Sequence, residues 1–271
     1  MTAATRITPD RLARLEAGLS DRDHLVLTTV ATMRLACTRQ LQRLHFADST
    51  NTANRRAAQR VLAKLDQQGL LTRLERRVGG VRAGSVGYIY ALGSAGQHLL
   101  THVGPAGGDK VRRPWTPSLA FLRHRLAITE LYVRLVEADR EGRLELVGFV
   151  AEPGAWRAYT GPHGALAWLK PDAFVVTASG QYEDRWFLEV DLATESPVVL
   201  ARKCRAYLDY QASGREQADH GVFPLVLFVV PTAKRLGVVQ RVVAAQTPAA
   251  RRLFRVTTEA EAITTLVRGA A

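Results

Sequence analysis

This chain has little sulfur, no long apolar run and a shortage of negative charge, and each lack excludes a class of protein. Only two of its 271 residues are cysteines, Cys37 and Cys204. Two isolated thiols make neither a disulfide framework nor a zinc site, and they fit a reducing cytoplasm. No stretch approaches the roughly 18 consecutive apolar residues of a membrane span, so no membrane partner is expected. The opening MTAATRITPD lacks the apolar core of a secretory signal. No Ser-His-Asp or Cys-His set stands out. GVRAGSVG has glycines but neither the spacing nor the strand-to-helix setting of a phosphate-binding loop. Against 25 acidic residues stand 37 Lys and Arg, a formal net charge of +12. So basic a chain favours polyanionic partners. What is present in quantity is apolar: 47% hydrophobic residues, enough for one large core or two ordinary ones.

The charge is uneven. Residues 1–116 carry 18 Lys and Arg against 8 Asp and Glu, whereas 117–271 carry 19 against 17. The polyanion-binding surface is therefore expected in the first part. Between the parts runs THVGPAGGDKVRRPWTPS, rich in Gly and Pro and without apolar period. The expected organisation is an N-terminal domain over 1–104, a linker over 105–118 and a second domain over 119–271.

The first part reads as three helices and a two-stranded wing. Ser20 can cap a helix from Asp21 to about Arg34, with Asp23 at the capping-box position. Thr38 can cap a short second helix through Leu41 and Leu44. The third helix starts near Asn51–Asn54. Its stripe of Ala57, Ala58, Val61, Leu62 and Leu65 recurs at helical spacing, and Gly69 ends it. Leu71–Val78 and Tyr88–Leu92 read as strands around a Gly-rich tip. Ser94 can cap a further helix through Leu100. This is the order of a winged helix-turn-helix, whose third helix enters the major groove with its N-terminal residues nearest the bases. Asn54, Arg55, Arg56 and Gln59 are the expected base readers, since Asn and Gln can pair adenine and Arg guanine. Arg60 and Lys64 are expected on phosphates. Arg73, Arg76, Arg77 and Arg82 of the wing are expected on phosphates or in the minor groove. The partner implied is double-stranded DNA.

The second part reads as α/β with a mixed sheet. A long helix covers Phe121–Ala138. Strands follow at Leu144–Ala151, Leu169–Val176 and Arg185–Leu192. A helix runs from Pro197 through Tyr210, and Pro224–Val230 is a buried central strand. The tail from Thr232 adds a helix and a last strand or loop. Trp156, Trp168 and Trp186 are expected in sheet packing, and His124 and His220 as ordinary polar residues. Asp172 opens one strand, and Glu189 and Asp191 share a face of its neighbour by the two-residue strand period. Three converging carboxylates can hold a hard cation such as Mg2+. Such an ion activates water and stabilises charge on a phosphate. Lys203 on the next helix can neutralise the same charge, and Glu130 on the long helix can join the set.

Pro171–Asp172 followed by Glu189-x-Asp191, in this helix–strand order, resembles the PD-(D/E)XK nuclease-like fold. The third position of that motif is usually Lys and here is Asp191; Lys203 offers a lysine from the helix instead. The chain as a whole, over nearly all of residues 20–230, resembles the replication-relaxation family of bacterial plasmids and mobile elements. The matching segments are RRVGGVRAGSVGYIYAL at Arg76–Leu92, FLRHRLAITELYVRL at Phe121–Leu135, LKPDAFV at Leu169–Val175, and FLEVDLATES at Phe187–Ser196 with Lys203 and Tyr207. The resemblance implies a DNA-binding protein of plasmid replication, relaxation or mobilisation, with relaxase or replication proteins as partners. Two readings stay open. One is a DNA binder whose nuclease-like domain has degenerated. The other is a Mg-dependent endonuclease or nicking factor, with Asp172, Glu189 and Asp191 as metal ligands and Lys203 stabilising charge.

Overall fold

The computed structural model describes residues 7–47, 51–74, 87–103, 117–161, 164–179 and 181–269. The backbone divides into two units, residues 1–133 and 134–271. That division falls inside the helix Leu119–Arg140, later than the Gly/Pro-rich stretch expected to separate the domains. Packing explains the difference: Leu122 and Leu126, early in that helix, cluster with Leu35, Cys37 and Ile89 of the first unit.

The first unit contains α1 (Pro9–Ala17), α2 (Asp21–Met33), β1 (Ala36–Cys37), α3 (Thr38–His45), α4 (Asn51–Gln67), β2 (Leu71–Leu74), β3 (Ile89–Leu92), α5 (Ser94–Val103) and the start of α6 (Leu119–Arg140). α2 begins where its capping box places it. The Ser20 hydroxyl accepts the Asp23 N–H, and the Asp23 carboxylate accepts the Ser20 N–H at 2.9 Å. α3 is capped differently from expectation. Cys37 holds the cap position, and its N–H donates to Gln40 Oε1 at 3.0 Å. Thr38 serves the hairpin instead. Its hydroxyl accepts the Tyr88 N–H at 3.1 Å and donates to the Tyr88 carbonyl at 3.2 Å. The hairpin thus closes onto the start of α3. The approach is tight, since a Cβ on Gly87 would lie 2.8 Å from the Thr38 side chain. α4 buries Ala58, Leu62 and Leu65 against Val26, Leu27 and Val30 of α2 and Leu41 of α3. It ends at Gly69, whose φ of 73° suits only glycine well. β1, β3 and β2 form an antiparallel sheet in that order. β1 is not legible in the sequence because two residues carry no alternation.

The second unit contains β4 (Glu145–Ala151), β5 (Arg157–Thr160), β6 (Leu166–Leu169), β7 (Ala173–Ser179), β8 (Tyr182–Val190), α7 (Pro197–Ala212), α8 (Arg215–His220), β9 (Leu225–Val230), α9 (Ala233–Ala244), α10 (Pro248–Arg251), β10 (Phe254–Thr258) and α11 (Ala262–Arg268). Its five-stranded sheet has the order β10-β9-β8-β7-β4. β8, β9 and β10 run parallel, while β7 runs antiparallel to β8 and β4, giving a mixed sheet. β9 is interior and apolar throughout, as its unbroken hydrophobic run requires. α7 starts at the Ser196 cap with Pro197 in its first turn. Leu200, Cys204 and Tyr207, at i, i+4 and i+7, cluster with Phe187, Val226 and Phe228 of the sheet.

The single strand expected at Leu169–Val176 is two strands. Pro171 has no N–H to give a ladder and breaks the run. β6 ends at Leu169 and pairs with β5 in a separate two-stranded ribbon; β7 begins at Ala173 and pairs with β8. No helix among the described residues is long and apolar enough to cross a membrane.

Candidate functional site

Two groups of polar residues stand out, one in each unit. In the first unit it is the outer face of α4. At about 100° per residue, Asn54, Ala58, Leu62 and Leu65 fall on the inward stripe. Arg55, Arg56, Gln59, Arg60 and Ala63 fall outside and are exposed. That face carries three guanidinium groups and an amide. The only carboxylate of the helix, Asp66, is half-buried and accepts the Arg73 N–H at 3.0 Å. Three of the expected DNA-contacting residues need comment. Asn54 is buried, on the same stripe as Ala58, and is removed from the set of base readers. Lys64 points its ammonium at Asp23 Oδ2, 2.7 Å away, and fastens α4 to the capped start of α2. Burial pushes the Asp23 carboxyl up, but Lys64 and the Ser20 N–H and hydroxyl together hold it below its ordinary value. Arg73 is exposed on β2 and stacks its guanidinium 4.4 Å from the ring centroid of Tyr88. Arg76, Arg77 and Arg82 lie outside the described residues. Tyr88 was missed as a candidate, although an aromatic residue opening the return strand of an arginine-rich hairpin was a usable signal.

In the second unit the end of β8 brings acidic residues into a buried, closely partnered cluster. Glu189 is enclosed. The Lys203 ammonium lies 2.7 Å from its Oε2, and the Tyr207 hydroxyl donates to its Oε1 at 2.6 Å. Asp172, beside it, accepts the Val190 N–H at 2.7 Å. Burial first, then the Asp172 charge, push the Glu189 carboxyl up to about 7, while Lys203 and Tyr207 pull it back. Burial opposes the Lys203 charge, but Glu189, Asp172 and Glu195 outweigh it and raise the ammonium above its ordinary value. The Tyr207 hydroxyl is held well above its usual range by burial and by Glu189.

Asp191 belongs to a separate arrangement just past the strand. Its Oδ2 lies 2.5 Å from Arg235 Nε, and its Oδ1 accepts the Ala193 N–H at 2.9 Å. Arg235 also donates to the Glu195 carbonyl at 2.7 Å, and Lys203 pairs with the Glu195 carboxylate at 2.9 Å. The segment from β8 to α7 is therefore tied down from both helices. This includes Ala193, whose φ of 63° is costly for a residue with a Cβ. Arg235 lies in the tail that the sequence left without a role.

A divalent cation held by oxygen needs carboxylate lone pairs turned toward it and not already committed to cations of the chain. As a three-carboxylate cage the cluster does not fit. Both oxygens of Asp191 are engaged by Arg235 and a backbone N–H, and both of Glu189 by Lys203 and Tyr207. The structure places Asp172, Glu189 and Lys203 beside one another and pairs Asp191 with Arg235. Glu130 is paired within its own unit. It belongs to the first unit, where Arg43 lies 2.5 Å away and Gln40 donates to it at 3.1 Å. His220 lies 3.8 Å from the buried Glu216, whose other oxygen takes the Tyr210 hydroxyl.

Comparison with curated proteins finds no match for the chain. The family model for replication-relaxation matches residues 27–226, most of the chain and parts of both units, and the chain belongs to that family.

Proposed function

From membership in the replication-relaxation family, we propose that this protein binds duplex DNA in the replication, relaxation or mobilisation of a plasmid or mobile element. The first unit acts as a winged helix-turn-helix. α4 lies in the major groove, Arg56, Gln59 and Arg60 face base edges and phosphates, and Arg55 and Arg73 reach the backbone. The observation that carries this reading is the exposed face of α4, which presents three arginines and a glutamine and no exposed carboxylate. The second unit resembles a PD-(D/E)XK-like domain in its mixed sheet and its acidic residues. Lys203 pairs with Glu189 and Arg235 with Asp191, and the unit serves as a scaffold or docking module for replication or relaxase partners.

Two measurements on the full chain test the two halves. Fluorescence anisotropy with a labelled duplex should show weaker binding for Arg56→Ala/Arg60→Ala than for the wild type. The slope of log affinity against log salt should shrink by about 0.9 for each phosphate no longer neutralised. Unaltered affinity and slope would rule out α4 as the DNA-contacting helix. Supercoiled plasmid incubated with Mg2+, Mn2+ or EDTA should stay intact. Metal-dependent nicking that disappears in Glu189→Ala would make the protein a nuclease and overturn the scaffold reading of the second unit.

A further inference from the structure

The ribbon of β5 and β6 has two unlike faces. Its inner face, with Tyr159 and Leu169, packs in the core cluster with Leu200, Cys204 and Tyr207 of α7. Its outer face follows from the register. Ala158 pairs with Trp168 and Thr160 with Leu166, and one step further along the same face Trp156 stands opposite Lys170. Trp168 is 51% exposed and Leu166 is 73% exposed. The Lys170 ammonium sits 4.8 Å from the Trp156 ring centroid. Trp186, by contrast, is fully buried. The expectation that Trp168 packs within the sheet is thus corrected, because the ribbon lies apart from the five-stranded sheet and only its inner face is covered.

An exposed tryptophan beside an exposed leucine is costly to leave in water and marks a contact surface. Three observations point to what covers it. The six residues of the face, Trp156, Ala158, Thr160, Leu166, Trp168 and Lys170, include one cation and no carboxylate. Lys170 is held over an aromatic ring and pairs with no carboxylate among the described residues. The face is also far smaller than the roughly 20–30 residues a side of a stable protein interface, so a second basic copy of the chain is a poor occupant. A flat aromatic ring next to a fixed positive charge is what a strand of unpaired nucleotides uses, base on ring and phosphate on cation.

We propose that the outer face of the β5–β6 ribbon is a binding platform for single-stranded DNA, with Trp168 stacking a base and Lys170 contacting the adjacent phosphate. This rests on the reading of the protein as a DNA binder and adds a second nucleic-acid surface, for the unpaired strand that opening a duplex exposes.

The test uses the full chain and an oligo-dT of about 10 nucleotides, within the span of single-strand binding sites. Binding is followed by anisotropy and by tryptophan fluorescence. The oligonucleotide should bind and quench emission. Trp168→Ala should weaken binding about 5- to 150-fold, the range for one stacked base, with unchanged melting temperature. Trp168→Phe should keep most of the affinity, and Lys170→Gln should lower the salt dependence. Arg56→Ala/Arg60→Ala should leave oligo-dT binding intact while weakening duplex binding, so the two surfaces succeed or fail separately. Absent oligo-dT binding, or affinity unmoved by Trp168→Ala, would overturn the platform. So would a wild-type dimer in sedimentation that Trp168→Ala converts to monomer, since the face would then be a self-association surface.

Discussion

Tyr207 and Glu189 show how much one buried hydrogen bond decides in this protein. The hydroxyl is 2.6 Å from a carboxylate that has almost no access to water. Hydrogen bonds to charged groups contribute about 1.5–3 kcal/mol, and a buried charge left short of a donor costs its desolvation. Tyr207→Phe should therefore lower stability by about 2 kcal/mol in urea unfolding at a pH above the Glu189 value of about 7. The drop should be smaller in mild acid, where Glu189 carries its proton. Equal drops under the two conditions would mean that the hydroxyl contributes independently of the Glu189 charge, and no drop under either that Tyr207 acts by packing alone. Asp172, Glu189 and Lys203 were legible as a group because the strand period and the next helix put them near one another. Arg235 was not, because 44 residues separate it from Asp191 and no local pattern joins them. Asn54 was misread for a different reason. The N-terminal position of α4 suggested base contact, while the helical step of about 100° placed the side chain inward with Ala58.

At the scale of elements, the turn joining α4 to the hairpin is the tightest point of the first unit among the described residues. A Cβ on Gly96 would lie 2.2 Å from the Leu70 carbonyl oxygen, and one on Gly93 would lie 2.2 Å from that of Gly69. Gly96→Ala should therefore destabilise by about 1–3 kcal/mol, the scale of overpacking, as a lower melting temperature will show. The same substitution in α9 should do the reverse. Gly237 has open space around its Cβ position, and Gly237→Ala should gain up to about 1 kcal/mol of helix propensity. Matching signs for the two variants would contradict the steric distinction between the sites. The helices and most strands were legible from caps, glycine stops and apolar periods. The ribbon was not: four residues on each side, one face apolar inward and the other apolar outward, show no alternation to read. Pro171 was the available signal, since a proline inside an apparent strand argues for two.

For the whole molecule, the uneven charge separates a basic first unit from a second unit whose acids are largely matched by its own cations. The match is imperfect at Glu189, and that makes stability depend on pH. Its folded value, about 7, lies above the ordinary 4.5. The folded state therefore holds a proton that the unfolded chain has already released. Stability falls as pH rises from about 4.5 through about 7, and the contribution is fully present only below that window. Asp172→Asn keeps an oxygen for the Val190 N–H and removes the repelling charge, so it should flatten this decline in melting temperature. Asp23 acts in the opposite sense at lower pH. Its depressed value stabilises the start of α2 above the ordinary 3.8, and that contribution fades as pH falls below it.

The two thiols give each unit its own gauge. Cys37 lies in the first unit and Cys204 in the second, both buried as free thiols. Burial holds Cys37 above its ordinary value, and burial with the nearby Glu189 charge pushes Cys204 up to about 11. Neither sulfur offers a thiolate to a reagent while its surroundings stay closed. Alkylation followed by peptide mapping therefore reads the opening of either half of the native chain, one cysteine per half, with no cysteine introduced.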